Sequence, residues 1–299
     1  MTRDYPEAVA HLLTLGEIEW NADWADYVAL GIEPEHIPAL IQLAVDEDLY
    51  TDDWDLPEPW ATVHAWRALG QLRAEEAIPA LITLLPRADE HLDELISEGL
   101  ASVFARIGPA TLPALRDYFT TATHGMWSRS ASINALVALV QDFPDCRAAV
   151  VETLAAQLAH FAEQDRNLNA LMVSALCVDL GAVEAAAVIE AAYAAGQVDL
   201  MVLGDWEDAQ VYLGLLSERQ TPAPNYMLTE HPETADMLHA LDGLKQKLRS
   251  GLAIVPPEAE SRQAQIEQQV REQTRHTRTQ EKKARAKRKA AKKARRKNR

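Results

Sequence analysis

Residues 63 to 85 read Val63-His64-Ala65-Trp66-Arg67-Ala68-Leu69-Gly70-Gln71-Leu72-Arg73-Ala74-Glu75-Glu76-Ala77-Ile78-Pro79-Ala80-Leu81-Ile82-Thr83-Leu84-Leu85. Val63, Trp66, Leu69 and Leu72 recur at three-residue steps, and Ile78, Leu81, Ile82 and Leu85 stand at i, i+3, i+4 and i+7, so each set lies on one face of a helix. Gly70 falls near the end of the first pattern. Pro79 belongs in the first turn of the second, where its missing N–H has no intrahelical partner to lose. The stretch is a helical hairpin.

Its second-helix phrase returns on both sides. Ile37-Pro38-Ala39-Leu40 stands 41 residues before Ile78, and Leu112-Pro113-Ala114-Leu115 begins 34 residues after it. Self-similarity at such a period is the mark of a solenoid of stacked units. Around the third copy, Leu92, Leu95, Ile96, Val103 and Ile107 give the first helix, Gly108-Pro109 the turn, and Leu112, Leu115 and Phe119 the second. A glycine at such a turn closes the helix in a left-handed conformation, and the proline after it prevents continuation. Counting on at a period of about 37 residues leads to Phe143-Pro144-Asp145 and then to Leu180-Gly181-Ala182. Both turns sit between helical patterns: Ile133, Leu136, Val137 and Val140 before the first and Val150, Leu154, Leu158 and Phe161 after it, then Leu168, Leu171, Met172 and Ala175 before the second and Val183, Ala186, Ala187 and Tyr193 after it. Four full hairpins are expected from about 59 to 196, behind a half or whole unit whose turn and second helix occupy 31 to 45.

Strand signals are scarce: alanine and leucine dominate, and no Asn-Gly or Asp-Gly turn joins two alternating segments. The expected fold class is therefore all-α, an α-α superhelix with a disordered or partly helical basic C-terminal tail. Residues 1–216 form the repeat domain with capping helices at both ends, the last at 204–216 with Asp205 as its N-cap. Pro222, Pro224 and Pro232 mark 217–233 as a linker. Met237, Leu238, Leu241, Leu244 and Leu248 restore a helical stripe in an accessory helix at 234–250, and 251–299 is a polar, basic tail.

The chain has 299 residues, 48% of them apolar, with a net charge of −16. That total conceals a segregation: residues 1–270 hold 14 Lys+Arg against 43 Asp+Glu, a charge of −29, and residues 271–299 hold 15 against 2, a charge of +13. An acidic body repels nucleic acid and anionic membrane, and a cationic tail attracts both. The two cysteines, Cys146 and Cys177, provide neither a disulfide framework nor a zinc site. The N-terminus shows no leader pattern and no stretch is long and apolar enough to span a bilayer. The expectation is a cytoplasmic protein without a membrane partner, cofactor or metal.

The phrases from His64 to Leu72 and from Ile107 to Leu115 resemble HEAT repeats of the type named after phycobilisome lyases, over roughly residues 31 to 196. The resemblance implies an armadillo-like superhelix whose second helices line the concave side. Similar repeats occur in bilin lyases, in a DNA glycosylase family and in many scaffolds. It leaves the function open, with a bilin lyase as one alternative.

On that arrangement Gln42, Thr83 and Asp117, each five positions after the start of its phrase, are candidate residues of a binding groove, or simply a solvated helix face. Trp20, Trp24 and Trp54 lie among acids and are candidate anchors for a basic or amphipathic protein partner; alternatively they close the open end of the solenoid. Asp205, Glu207 and Asp208 read either as carboxylates for chemistry or as acids that complement a helix dipole. His64 and Arg67 flank Trp66 as an acid/base or anion site, or as helix-packing residues. Cys146, near a helix N-terminus, is the one conceivable nucleophile, since a thiol there can have a lowered pKa. In the tail, Lys282, Lys283, Arg285, Lys287, Arg288, Lys289, Lys292, Lys293, Arg295, Arg296 and Lys297 are candidate polyanion-binding residues, for which RNA or DNA, an anionic protein and the chain's own acidic body compete as targets; the plain alternative is a solubilising extension.

A non-enzymatic protein-interaction scaffold or adaptor is the first expectation for function. An RNA-associated protein tethered through its tail is the alternative.

Overall fold

The structure is a computed structural model and describes residues 5–18, 23–50, 56–90 and 95–234, together with Met237 and Lys245. The chain falls into two units, 1–232 and 233–299. Of the second, the described residues are too few to carry an architecture, so the accessory helix and the basic tail lie outside the described residues.

The first unit is all-α, and among the described residues there is no strand. Its helices come in pairs. The first pair is α1 (Glu7–His11) and α2 (Ile37–Ala44), and the second is α3 (Trp60–Gln71) and α4 (Ile78–Ile82), followed by the short α5 (Arg87–Glu90). Then come α6 (Leu100–Ile107) with α7 (Leu112–Thr120), α8 (Met126–Asp142) with α9 (Arg147–Leu158), and α10 (Arg166–Ser174) with α11 (Ala186–Ala194). The first helices α3, α6, α8 and α10 pack in succession as one layer, while α2, α4 and α7 pack in succession in a second layer, as do α9 and α11. One contiguous core runs from Tyr5 to Leu213. This is the architecture expected of units that cannot bury an apolar face alone.

Each second helix opens in the same way. A single 3-10 turn, at Pro34–His36, Glu75–Ala77, Pro109–Thr111, Pro144–Cys146 and Val183–Ala185, leads directly into the helix. Proline in the first turn fixes φ without losing an intrahelical bond. The Ile/Leu-Pro-Ala-Leu phrase then buries its fourth residue, and Leu40, Leu81 and Leu115 are all fully buried.

The turns follow two different devices. Gly108 has φ +110°, as expected of a glycine that ends a helix. Gly70 does not end its helix: it lies inside α3, and the left-handed residue after that helix is Arg73, at φ 51°. Gly70 serves close approach instead, because a Cβ there would stand 3.0 Å from the Trp24 ring.

Buried polar side chains tie neighbouring hairpins together. Arg129, the fourth residue of α8, donates from Nε to the Phe119 carbonyl (2.8 Å) at the end of α7 and from Nη2 to Gln164 Oε1 (2.8 Å). Asn169, the fourth residue of α10, donates to the Phe161 carbonyl (3.0 Å) after α9 and to the Gln197 carbonyl (2.8 Å). The last carbonyls of a helix have no intrahelical partner; Arg129 supplies one at the end of α7, and Asn169, at the same register position of the next unit, ties down the 3-10 turn that follows α9.

The array closes with α12 (Leu200–Leu203), α13 (Trp206–Tyr212) and α14 (Tyr226–Glu230). The stretch 217–233, read from its prolines as a linker, differs from that expectation: α14 packs on α12, and Glu230 pairs with Arg166 at 2.9 Å.

Candidate functional sites

The exposed face of the second-helix layer carries the candidate groove residues. Gln42, Thr83 and Asp117 are all exposed, one on each of three second-helix stretches that pack in sequence. Thr83 follows α4 directly and donates its hydroxyl to the Ala80 carbonyl (2.6 Å), and Asp117 faces Arg116 at 3.6 Å. Neither contact buries the side chain.

The tryptophans divide. Trp20 and Trp54 lie outside the described residues. Trp66 is fully buried, with Nε1 donating to the Ala44 carbonyl (3.2 Å), and Trp60 is buried too. Trp24 is half-buried against Gly70, with the guanidinium groups of Arg67 and Arg106 lying 5.4 and 5.6 Å from its ring centroid. Such cation–π contacts fix the ring. In this place Trp24 lays the N-terminal segment across α3 and α6.

Beside it, α3 is buried all round, including His64 and Arg67. The reason is a stripe of polar residues at helical spacing, His64, Arg67 and Gln71, against which the N-terminal segment is laid. His64 Nε2 is 2.9 Å from the Gly16 carbonyl and Nδ1 is 2.7 Å from the Tyr27 hydroxyl. A carbonyl can only accept, so Nε2 carries the proton and Nδ1 accepts from Tyr27. Gln71 accepts from the Tyr27 N–H (3.0 Å) and donates to the Ala25 carbonyl (2.8 Å). Burial, and then the charge of Arg67, hold His64 below its usual range, and burial pushes Tyr27 up to about 12. Of the two sequence readings of His64 and Arg67, the geometry matches helix packing.

The acid cluster is likewise internally satisfied. Asp205 caps α13 by accepting from the N–H groups of Glu207 (3.0 Å) and Asp208 (3.2 Å), and Asp208 accepts from the Asp205 N–H in return. Arg219 then engages Asp205 through both terminal nitrogens, at 2.7 and 2.9 Å, and reaches Asp208 at 2.6 Å and Glu207 at 3.2 Å. The Tyr226 hydroxyl donates to Asp208. Hydrogen bonding to Arg219 is the main cause that holds Asp205 below the ordinary carboxylate range. Three of its acids and one arginine therefore fasten 219–226 to the closing helix.

The thiols differ from the sequence expectation. Cys146 sits where a helix N-terminus could lower its pKa, yet burial, with Asp145 beside it, pushes the thiol up. Cys177 is buried, and burial raises it to about 12. A depressed pKa is what an activated nucleophile requires, so the Cys146 reading is corrected. Among the described residues no three His, Cys, Asp or Glu side chains gather at metal-binding distance, and no helix is long and apolar enough to cross a membrane.

One concavity was not foreseen from the sequence. Between α8 and α10 lies a groove of about 290 Å³, lined by Ile133, Asn134, Val137, Ala138 and Gln141 on one side and by Leu171, Ser174, Ala175 and Asp179 on the other. Its far wall is a π-helical turn, Ala175–Asp179, that continues α10, with the Leu180 N–H bonded to the Ala175 carbonyl (3.0 Å). Such turns are frequent at functional sites. The carboxylate of Asp179 stands at the rim, and partial desolvation pushes its pKa up.

A family model described as a protein of unknown function (DUF1186) matches residues 29–221. This covers the helical array from α2 to α13, and the chain belongs to that family. No curated protein and no solved structure matches it.

Proposed function

We propose that this member of the DUF1186 family is a protein-interaction module of the HEAT-like kind, a non-enzymatic scaffold or adaptor that holds a partner segment on its array of hairpins. The observation that carries the reading is the exposed face formed by Gln42, Thr83 and Asp117, set on second-helix stretches that pack one after another. A continuous polar face on stacked hairpins is how solenoid proteins present an extended binding surface. The acid excess of residues 1–270 favours a basic partner. The groups suited to acid–base or nucleophilic work are occupied: His64 by Tyr27 and Gly16, and Asp205 by Arg219.

The test is co-precipitation from native lysate with the full chain and with a Gln42→Arg/Thr83→Arg/Asp117→Arg variant. A partner retained by the natural chain and lost by the variant supports the reading. Equal capture by both removes this face as the binding surface, and capture by neither removes the interaction reading.

The charge segregation favours a second reading in which residues 282–299 bind RNA. Fourteen of the chain's Lys and Arg are in residues 1–270 and fifteen in 271–299. Attraction through phosphates falls steeply with salt. An isolated 271–299 peptide and the full chain should both bind RNA less tightly as salt rises; failure of both to bind at low salt disposes of this reading.

A further inference from the structure

We propose that the groove between α8 and α10 is a binding site for a lysine side chain of a partner segment, the ammonium held by Asp179 and the alkyl stem laid on Val137, Ala138 and Leu171. The inference rests on the reading of the protein as an interaction module, but it places the contact on the first-helix layer, away from Gln42, Thr83 and Asp117.

Size sets the first limit. At about 290 Å³ the groove is just below the range of about 300 to 1,000 Å³ typical of small-molecule sites. It suits one long side chain better than a cofactor.

Polarity sets the second. Much of the lining is apolar, and polar groups are supplied by both walls: Asn134 and Gln141 by α8, Ser174 by α10 and Asp179 by the π turn. Asn134 turns its amide nitrogen towards the Ser97 carbonyl (3.5 Å), on the side of the other neighbouring helix, which leaves its amide oxygen as an acceptor. Ser174 adds a hydroxyl. A hydroxyl and a carboxylate from α10 and its π turn, with an amide oxygen from α8 opposite, offer acceptors from two sides of the groove. They match the three donors of a tetrahedral ammonium better than the flat fork of a guanidinium.

Charge sets the third. Among the described residues no cation and no hydrogen-bond donor engages the Asp179 carboxylate. The arginine nearest to that turn is spent elsewhere: Arg147 donates to the carbonyls of Leu180 (3.0 Å) and Gly181 (3.2 Å) and pairs with Glu184 at 2.7 Å. Asp179 also ends its helix, where the dipole favours a cation and opposes an acid. The charge of a bound ammonium would offset both the lost hydration and the repulsion. The long alkyl stem of lysine can cover the apolar part of the lining while its charged end stays at the rim.

The experiment is a titration of the full ¹⁵N-labelled chain, followed by amide shifts, with a capped peptide carrying lysines in an alanine background. Parallel peptides carry norleucine or arginine in place of lysine. The lysine peptide should shift the amides of Asn134, Ser174 and Asp179, and the norleucine peptide should leave them unmoved. Asp179→Asn keeps the side-chain shape and should weaken lysine-peptide binding by about tenfold, the loss of one charge-assisted hydrogen bond, with a melting temperature no lower than that of the natural chain, since the charge opposed by the helix dipole is removed. Binding of the arginine peptide as tight as that of lysine, or an Asp179→Asn affinity within about twofold of the natural chain, overturns the assignment. If the lysine peptide moves only amides around Gln42, Thr83 and Asp117, the groove assignment fails and the interaction reading stands. If the groove binds lysine while the three-arginine variant still captures every partner, the second-helix face falls and the groove stands.

Discussion

Replacing Tyr27 by Phe tests how the N-terminal segment is held on α3. The ring is buried to 1% exposure, so its packing survives, and what is lost is the hydroxyl that donates to His64 Nδ1 at 2.7 Å. A buried acceptor left unsatisfied costs about 1 to 3 kcal/mol, which for a unit of this size corresponds to a melting point lower by roughly 2 to 4 °C per kcal/mol. The pH dependence is the sharper test. Burial holds the folded His64 below 6.5, so the unfolded chain takes up the proton first. The stabilisation from neutral His64 is therefore complete above pH 6.5 and is lost as pH falls below it, by at most about 1.4 kcal/mol per pH unit. His64→Asn cannot titrate, while the other histidines titrate alike in both chains. Urea unfolding of the natural chain and of His64→Asn should show a stability gap that is largest at pH 7.5 and shrinks by pH 5.5. A gap that is constant or widens on acidification would refute the neutral state of buried His64, and a Tyr27→Phe cost under about 0.5 kcal/mol would refute the bond itself.

Other perturbations separate the faces and the ends of the helices. Leu81→Ala should cost about 2 to 5 kcal/mol, whereas Thr83→Ala should stay within about 0.5 kcal/mol; equal effects in thermal unfolding would mean that the buried and exposed faces are reversed. Asp89 accepts from the N–H groups of Trp127 (2.8 Å) and Ser128 (3.2 Å) and so caps α8 from another element. Asp89→Ala should cost about 0.5 to 2 kcal/mol, and calorimetry that shows no change would deny the cap. Both thiols should react with a disulfide reagent far more slowly in the native chain than in denaturant, Cys177 the more so, and rapid native labelling of Cys146 would contradict its raised pKa.

Much of this fold is written in short-range chemistry. Prolines in the first turn of a helix and apolar residues at helical spacing are local signals, so the hairpins from Trp60 to Ala194 were legible at their turns, and Leu81 and Thr83 fell on the expected sides of their stretch. The N-terminal segment was not, because its fit depends on partners 37 to 48 residues away: Tyr27 with His64, and Gly16 with His64. Gly70 illustrates the same limit. A glycine near a helix end reads as a stop, and only the Trp24 ring lying over it gives the actual reason for a missing side chain. Arg219 likewise carries no local sign that it will join three carboxylates on α13, so a proline-rich stretch read as a linker.

Asp179 differs from these cases, since a signal for it was present in the sequence. Cys177-Val178-Asp179-Leu180-Gly181 places an acid in the last turn before a glycine stop, against the helix dipole. Arg106-Ile107-Gly108 puts the favourable charge at the matching place in another unit. Asp142 repeats the anomaly at the end of α8, but it lies outside the groove. Position in the fold therefore decides which of the two departures has a use. Both acids are exposed, and at Asp142 water screens the charge from the helix end. At Asp179 the groove wall removes part of that water, Arg147 is turned towards Glu184, and the local cost persists in the free protein. A residue that breaks a local rule without compensation among the described residues is where a ligand is to be sought. The sign of the uncompensated charge requires that the ligand be a cation.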